Sequence, residues 1–315
     1  MKAQDYQSFV EQLDELTPVQ REALLAALKS KASSADVLAM IETRFAADPA
    51  CGHCASKRFG TWGHANDLRR YKCRDCGRTF NALTGTALAQ MHCREKWLDY
   101  ASAMADGLNL RKAAERCDVH LVTSFRWRHR FLKTPKHLKA AAVTGIVEAD
   151  ETFIRKSSKG SRKHMRRARK RGGEGAKPGL STDDYDPVLV VRDRSGATTD
   201  TILPDMTAET FRQELEPIIA KDAVLVSDGR DAYGAFAYLC AIQHVPINAS
   251  RGEHVYEGFH IQSVNGYVSR LKSWMVRFKG VASNHLSSYL GWRRMIERDS
   301  DRLTPRHILS QAIGA

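Results

Sequence analysis

The sequence lacks long hydrophobic runs, and no stretch of its 315 residues approaches the roughly 18 consecutive apolar residues of a membrane-spanning helix. The amino terminus is acidic and polar, without the basic and then apolar pattern of a secretory signal peptide. No internal repeat with a period of about 20–50 residues is visible. We therefore expect a cytoplasmic protein that does not span a membrane.

Acidic residues are few compared with basic ones. Asp and Glu number 36 against 49 Lys and Arg, so the formal net charge is +13. A cytoplasmic protein with this excess usually binds a polyanion, most often nucleic acid. The alternative is a basic protein whose charges are only solvated. Hydrophobic residues make up 43% of the chain, which is enough to form cores, and the length is typical of two domains.

The basic residues are concentrated between Arg155 and Lys177, where eleven Lys or Arg stand against one acid and supply +10 of the net charge. A like-charged run flanked by glycine cannot pack into a core, so we expect a mobile basic insertion over residues 155–184. It is either a solvated loop or a surface that contacts DNA phosphates, and we favour the DNA contact. The candidate contacts are Arg166, Arg167 and Lys170.

The seven cysteines do not suggest a disulfide framework, because the cytoplasm is reducing. Cys51 and Cys54 form one C-x2-C pair, Cys73 and Cys76 form another, and 18 residues separate the pairs. Two such knuckles complete a tetrahedral four-sulfur site, which predicts structural zinc rather than a catalytic metal. Iron in the same site and a redox pair are the alternatives.

The surroundings of the two pairs fit a small metal-dependent unit. Gly52 and Gly77 suit the tight turns of the knuckles, and Tyr71 and Phe80 offer apolar side chains to bury. The isolated cysteines are interpreted as buried thiols; they are Cys93, Cys117 and Cys240.

The first 48 residues have helical periodicity and predict three short helices, over about 9–16, 24–28 and 37–45. Thr17 and Pro18 are typical of a helix start, and Asp48 followed by Pro49 predicts the end of this region.

Residues 110–132 predict two short helices around a break at 118–120, which is typical of a helix-turn-helix whose second helix enters a DNA major groove. An ordinary pair of amphipathic helices is the alternative. We expect Leu121, Phe125 and Leu132 to hold the second helix to its domain. The exposed candidates for DNA contact are Thr123, Ser124, Arg126, Arg128 and Arg130.

From Gly145 onward, strand-like runs alternate with helical ones, which favours a mixed α/β sheet. Alternation along the strand places Glu148 and Asp150 on one side and Glu151 on the other. Asp228 ends a second apolar strand, just before a glycine. Carboxylates on neighbouring strands can converge on a metal ion, although a strand-terminal acid can also simply face water.

Six motifs in this order resemble bacterial insertion-sequence transposases that have an N-terminal zinc ribbon and an ISXO-like DDE catalytic domain. The motifs are CGHC, RYKCRDCGRTFNALTGT, RWRHRF, VEADETFI, VLVSDGRDAYGAF and HIQSVNGYVSRLKSW, and they cover residues 49–295. The resemblance implies a ribonuclease-H-like fold with a central mixed sheet and flanking helices.

The resemblance also implies the catalytic residues. It places the two acids at Asp150 and Asp228, the third ligand at Asn265 and a trailing lysine at Lys272, an Asp-Asp-Asn-Lys pattern in place of an acidic triad. These oxygen ligands suit two Mg²⁺ or Mn²⁺ ions that assist phosphoryl transfer. Residues 265 and 272 lie two helical turns apart on one face, so the lysine can hold a DNA phosphate. The alternative ligands are Glu253, Glu257 and His260.

These expectations combine into a transposase that binds the terminal inverted repeats of its element and cuts and joins double-stranded DNA, as a homodimer or larger assembly associated with the nucleoid. The expected parts are a helical region at 1–48, a zinc ribbon at 49–83, a helix-turn-helix at 84–140, a catalytic domain at 141–298 and a tail at 299–315. The alternatives are a DNA-binding regulator derived from an inactive transposase and a nuclease of the same fold.

Overall fold

The computed structural model describes residues 7–8, 10, 12–13, 16–160, 184–248, 252 and 254–314. The chain forms two compact units, one comprising Met1–Phe131 with Thr304–Ala315 and the other Leu132–Leu303. Among the described residues, no helix combines the length and apolar character needed to cross a bilayer. The three predicted contacts of the basic insertion, Arg166, Arg167 and Lys170, lie outside the described residues.

The first unit contains a long helix, α1, over Pro18–Ala47. As predicted, Thr17 caps it: the Thr17 side chain accepts from the backbone N–H of Gln20, and the Gln20 side chain accepts from the backbone N–H of Thr17 at 2.9 Å. The prediction of two helices in this span is wrong, because residues 29–36 contain neither glycine nor proline to interrupt the helix.

A three-stranded antiparallel sheet follows α1, in the order β1 (Phe59–Ala65), β2 (Leu68–Cys73) and β3 (Thr79–Asn81). Tyr71 and Phe80 stack with ring centroids 5.4 Å apart, and both are buried as predicted. Phe45 of α1 lies 5.0 Å from the Tyr71 ring and 6.1 Å from the Phe80 ring. The N-terminal helix therefore completes the small core of this sheet, a role that the sequence left open.

Three short helices complete the N-terminal part of this unit: α2 (Trp97–Ala105), α3 (Leu110–Arg116) and α4 (Leu121–Phe131). Asn109 caps α3 by accepting from the backbone N–H of Lys112 at 3.1 Å. Their shared core contains fully buried aromatic rings, with Tyr100 of α2 in edge contact with Trp127 of α4 at 5.3 Å.

The second unit is built on a five-stranded sheet. Its elements are β4 (Ile146–Arg155), β5 (Tyr185–Asp193), β6 (Thr198–Ile202), α5 (Ala208–Leu215), β7 (Val224–Asp228), α6 (Asp231–Cys240), β8 (Gln243–Ile247), α7 (Gln262–Val276) and α8 (Ser283–Arg298). The strand order is β6-β5-β4-β7-β8, antiparallel from β6 to β4 and parallel from β4 to β8. This order and these directions confirm the mixed α/β class and the ribonuclease-H-like sheet.

Both faces of the central strand β4 are covered. On one face, Val147 and Ala149 belong to a buried cluster with Phe211 of α5 and Tyr233 of α6. Val147 and Ala149 share this face because alternate side chains of a strand point to the same side, and Glu151 follows them there.

The opposite face of the sheet carries α7 and α8. Tyr267 of α7 donates a hydrogen bond from its hydroxyl to the buried Asp200 of β6 at 3.3 Å, and Arg294 of α8 forms an ion pair with the same carboxylate. One buried acid therefore anchors both helices, and the paired arginine offsets the cost of burying that charge.

The C-terminal residues do not form the predicted tail. A short 3₁₀ helix at Ser300–Arg302 precedes the helix α9 (Pro305–Ile313), which Thr304 caps. Ile308, Leu309 and Ile313 are buried, and α9 belongs to the first unit, where it packs against α2. Its apolar residues repeat with the helical period, which the tail interpretation overlooked.

Candidate functional site

The four predicted zinc ligands converge in the first unit. The sulfur atoms of Cys51 and Cys76 are 3.8 Å apart, those of Cys54 and Cys73 are 3.6 Å apart, and all four lie within 4.8 Å of one another. A tetrahedral site with Zn–S bonds of about 2.3 Å needs sulfur atoms about 3.8 Å apart. No disulfide joins these thiols. The donor set therefore fits a closed structural zinc site.

The two knuckles use their glycines differently. Gly77 has φ +68°, which a tight turn needs and which glycine adopts without strain. Gly52 is required for a close approach instead, since a Cβ there would lie 2.3 Å from the carbonyl oxygen of Thr84. The backbone N–H of Cys76 is the main reason that the pKa of Cys73 is lowered to about 6, which favours the thiolate that binds metal.

Two of the expected DNA contacts on α4 are fully buried, so their predicted exposure is wrong. Ser124 donates from its hydroxyl to the carbonyl of Leu110 at 3.0 Å, and Arg128 donates to the carbonyl of Leu108 at 2.9 Å. These carbonyls lie at the start of α3 and just before it, and the two side chains satisfy them from the neighbouring helix.

The remaining α4 residues divide into structural and outward-facing ones. Arg130 donates to the carbonyls of Ala87 and Ala89, both at 2.9 Å. Thr123 is half-buried and Arg126 is exposed. The predicted anchors Leu121 and Phe125 are instead 37% and 40% exposed, because the buried face of α4 is the one that contains Trp127 and Phe131, whereas Leu132 is buried as expected.

The two predicted catalytic acids meet at one edge of the sheet in the second unit. Strands β4 and β7 are parallel, and Ala149 pairs with Ser227, so Asp150 and Asp228 follow at adjacent positions on the same face. Their carboxylates belong to a three-residue cluster whose oxygen atoms lie within 4.8 Å of one another.

Glu151 is the third member of that cluster, and sequence reasoning missed it. Strand alternation does place it on the opposite face of β4, but β7 ends at Asp228, so β7 does not continue beside β4 beyond that point. Arg230, two residues further on, has its Nε 3.0 Å from Asp228 Oδ2 and 3.2 Å from Glu151 Oε2. The adjacency of two acids in the motif VEADETFI was the only available signal.

Burial and repulsion both act on this cluster. Burial, followed by the charge of Asp228, raises the pKa of Asp150 to about 6, and burial raises the pKa of Glu151 to about 7. The Arg230 guanidinium faces both Glu151 and Asp228, so two carboxylates of the cluster share one cationic side chain. Buried anionic oxygens of this kind are costly unless a cation faces them, and hard divalent cations prefer such ligands. The cluster therefore fits Mg²⁺ or Mn²⁺.

The helix α7 is attached to β4 beside this cluster. The buried Glu148 accepts hydrogen bonds on Oε2 from the backbone N–H groups of Ser263 at 2.7 Å and Val264 at 3.0 Å. Its Oε1 lies 3.1 Å from Arg194 Nε. His260 lies in the same network, with Nδ1 3.5 Å from Glu148 Oε1, and it is not part of the carboxylate cluster.

The other predicted residues of the site lie on α7 or just before it. Asn265 is exposed in the first turn, and Lys272 is exposed two turns later. The charge of Lys272 opposes the rise in the pKa of Asp150. Glu257 is exposed and does not join the cluster, and Glu253 lies outside the described residues. The assignment of Asn265 as a ligand stays a prediction.

Comparison with known proteins gives two sequence matches. Residues 142–293 match the family model of the ISXO2-like transposase domain. An uncharacterized protein in transposable element ISH50 of Halobacterium salinarum is 27% identical over 297 residues, which cover 90% of this chain and 97% of that relative. These matches confirm the resemblance predicted from the motifs.

Two solved structures also align with part of the chain. A pre-cleavage Mos1 transpososome is 13% identical with a TM-score of 0.24, covering 65% of this chain and 76% of that one. The intasome of simian T-cell lymphotropic virus, in complex with PP2A regulatory subunit B56 gamma, is 12% identical with a TM-score of 0.29, covering 61% and 66%.

Proposed function

We propose that this chain, whose residues 142–293 match the family model of the ISXO2-like transposase domain, binds the ends of its insertion sequence and uses divalent metal ions to cut and join DNA. Cleavage by water frees a 3′-hydroxyl at the end of the element. That hydroxyl then attacks a phosphodiester of the target DNA. The proposal includes no covalent protein–DNA intermediate.

The observation that carries the proposal is the convergence of Asp150, Glu151 and Asp228 at the end of β7. Two divalent ions held by such oxygens would activate the attacking oxygen and stabilise the leaving oxygen of an in-line phosphoryl transfer. Lys272, whose ammonium group acts on Asp150, is suited to hold a non-bridging phosphate oxygen of the DNA.

Glu151 gives this site a charge that the Asp-Asp-Asn pattern lacks. With an amide at Asn265, the three implied ligands carry two negative charges rather than three. The Glu151 carboxylate lies within reach of the two aspartates and would restore the third charge. We propose that Asn265 contributes a neutral amide oxygen and that Glu151 supplies the missing charge.

The first unit would recognise the ends of the element. The zinc ribbon and the helix-turn-helix formed by α3 and α4 would dock on double-stranded DNA, with Arg126 and Thr123 as the outward polar residues of α4. Pairing of two DNA ends requires at least a dimer, so we propose a homodimer or larger assembly on DNA in the nucleoid of the cell.

The test uses purified protein and a duplex that carries the DNA flanking this gene. With Mg²⁺ or Mn²⁺ and a supercoiled target, the wild type is expected to produce a nick with a free 3′-hydroxyl and then joined products. Asp150→Asn should bind the duplex and leave it intact, whereas Asp222→Asn, an exposed acid before β7, should behave as the wild type. Nicking without joining would indicate a nuclease, and full activity of Asp150→Asn would refute the proposed site.

A further inference from the structure

An apolar cleft of about 560 Å³ opens in the second unit, where β4 ends beside α7. Its apolar lining comes from Phe153 and Ile154 of β4, Met275 and Val276 of α7, and Val281 after it. Val276 is 68% exposed, so the cleft presents hydrocarbon to solvent and not to a core. Contiguous apolar surface of this kind marks a binding site more often than a packing defect.

Cationic side chains also line the cleft. Arg155 and Lys156, at the end of β4, line one side of the cleft, and Lys272 of α7 lines the other side. All three side chains are exposed. Among the lining residues there is no acid. An apolar interior with a cationic rim complements a nucleotide, which has a flat apolar base and an anionic phosphate.

The cleft adjoins the carboxylate cluster. Lys272 lines the cleft, and its charge opposes the rise in the pKa of Asp150 in the cluster. Ile154 follows Asp150 by four residues on the same face of β4, which corresponds to about 13 Å at roughly 3.3 Å per residue. Along a DNA duplex that distance spans about four base steps of roughly 3.4 Å each.

We propose that this cleft binds one nucleobase, unstacked from the DNA within about four nucleotides of the phosphate that is cut. The inference rests on the proposed function, since it assumes that a scissile phosphate lies at the carboxylates. A base inside a duplex is stacked on both sides and cannot enter a cleft, so the base must leave the helix. Burial of its faces against apolar side chains offsets part of the cost of unstacking.

The experiment replaces single bases with 2-aminopurine, whose fluorescence rises when it leaves the base stack. The end duplex carries it at each of the four positions on either side of the cut, in complex with full-length protein and without divalent ions. We expect the fluorescence to rise several-fold at one position. The aromatic ring that lines the cleft belongs to Phe153 of β4, and the α7 residues Met275 and Val276 carry none.

Two exposed apolar residues provide matched variants. Val276→Glu places a negative charge in the cleft and should abolish the fluorescence rise and weaken end binding about tenfold, and Val276→Leu should retain both. Leu239→Glu makes the same change at a 65% exposed position on α6 and should behave as the wild type. With an abasic site at the responding position, the difference between Val276→Glu and wild type should shrink, because no base then has to be accommodated.

The outcomes separate this inference from the proposed function. If wild type cuts and joins DNA but no position responds, the cleft does not take a base and only the inference fails. If Val276→Glu retains the fluorescence rise and loses self-association by light scattering, the cleft is an interface between copies of the chain, which also overturns the inference. If wild type neither binds nor cuts the end duplex, both proposals fail.

Discussion

Glu148 and Ser263 connect strand β4 to helix α7: Glu148 Oε2 accepts from the backbone N–H of Ser263 at 2.7 Å. Because Glu148 precedes Asp150 by two residues, both side chains lie on the α7 face of the sheet. The carboxylate also faces the positive end of the α7 dipole, which adds to the attraction. One buried acid therefore sets where α7, and with it Asn265 and Lys272, stands relative to Asp150.

Glu148→Gln should lower the rate of DNA cleavage about 10-fold or more and reduce the free energy of unfolding by about 2–4 kcal/mol. The reason is that the amide cannot neutralise Arg194 and accepts more weakly from the backbone N–H groups at the start of α7. Cleavage rates and urea unfolding measure the two effects. Glu216→Gln, an exposed acid after α5, should change the free energy of unfolding by no more than about 0.5 kcal/mol. A stable Glu148→Gln variant with full cleavage would mean that the contact does not position α7.

The position of Asp228 could be predicted from the sequence because it depends on a local pattern. An apolar run predicts the strand, and the acid followed by glycine marks its end. The participation of Glu151 could not be predicted in this way. Alternation describes a continuous sheet, and the cluster forms where β7 has stopped and Arg230 reaches back to both acids. Contacts beyond a strand end depend on the turn that follows, which the periodicity of the sequence does not specify.

The assignment of faces on α4 failed for a related reason. An arginine is usually exposed, so Arg128 was expected to face DNA, but its long apolar stem can cross a core when a carbonyl receives its guanidinium. That carbonyl belongs to Leu108, 20 residues earlier in the chain. The four zinc ligands differ from this case. Each pair of cysteines lies within one short turn and is separated by two residues, so the spacing alone predicted that the four sulfur atoms converge.

The charge argument for Glu151 predicts compensation between two positions. Glu151→Gln should weaken Mn²⁺ binding about tenfold, because the site loses one negative charge near the ion. Asn265→Ala should lower cleavage, and Asn265→Asp should retain part of it. The double variant Glu151→Gln with Asn265→Asp should bind Mn²⁺ more tightly than Glu151→Gln alone. Calorimetric titration of both variants with Mn²⁺ measures this difference in affinity. If the combination binds no better, Asn265 does not share the metal site.

The raised pKa values predict an unusual dependence of stability on pH. Asp150 and Glu151 have folded pKa values of about 6 and about 7, above their ordinary values of 3.8 and 4.5, so the folded state binds protons more tightly than the unfolded state. Their contribution to stability is present below about pH 4 and is lost as the pH rises through 6 and 7.

Without divalent ions, the free energy of unfolding should fall by about 2–4 kcal/mol between about pH 5 and pH 8 as a result of these two groups. Mn²⁺ binds the ionised carboxylates, so the rise in Tm that it causes should grow over the same range. Thermal melts with and without Mn²⁺ at three pH values measure this. In the double variant Asp150→Asn with Glu151→Gln, the pH dependence of the free energy of unfolding and that of the Mn²⁺-induced rise in Tm should both become weaker. If the pH profile of stability is unchanged in that variant, other groups cause it.

The cysteine cluster predicts one zinc ion per chain. Cys54→Ser should lose most of that zinc and lower the Tm of the first unit, because folding of the three-stranded sheet is coupled to the metal. Cys93→Ser is the matched control, since Cys93 is not part of the cluster and is exposed, so its interpretation as a buried thiol was wrong. Metal analysis by mass spectrometry and thermal melts followed by circular dichroism supply the readouts. Iron in place of zinc, or full zinc content in Cys54→Ser, would contradict the assignment.

Two arginines of α4, two residues apart, should separate DNA contact from folding. Arg126 is exposed, so Arg126→Ala should leave stability within about 0.5 kcal/mol of wild type, lower affinity for the end duplex and reduce the salt slope of binding by about 1. Arg128 is buried and donates to Leu108, so Arg128→Ala should destabilise the first unit by about 1–3 kcal/mol, because it removes that hydrogen bond and buried packing.

Fluorescence anisotropy at several salt concentrations and urea unfolding distinguish the two effects. Because destabilisation also lowers the amount of binding-competent protein, the Arg128→Ala data are compared at a temperature at which both variants are folded. There its salt slope should equal that of wild type, since a buried guanidinium displaces no counterion from DNA. A salt slope that changes in Arg128→Ala and not in Arg126→Ala would mean that the buried face of α4, and not its exposed face, meets the DNA.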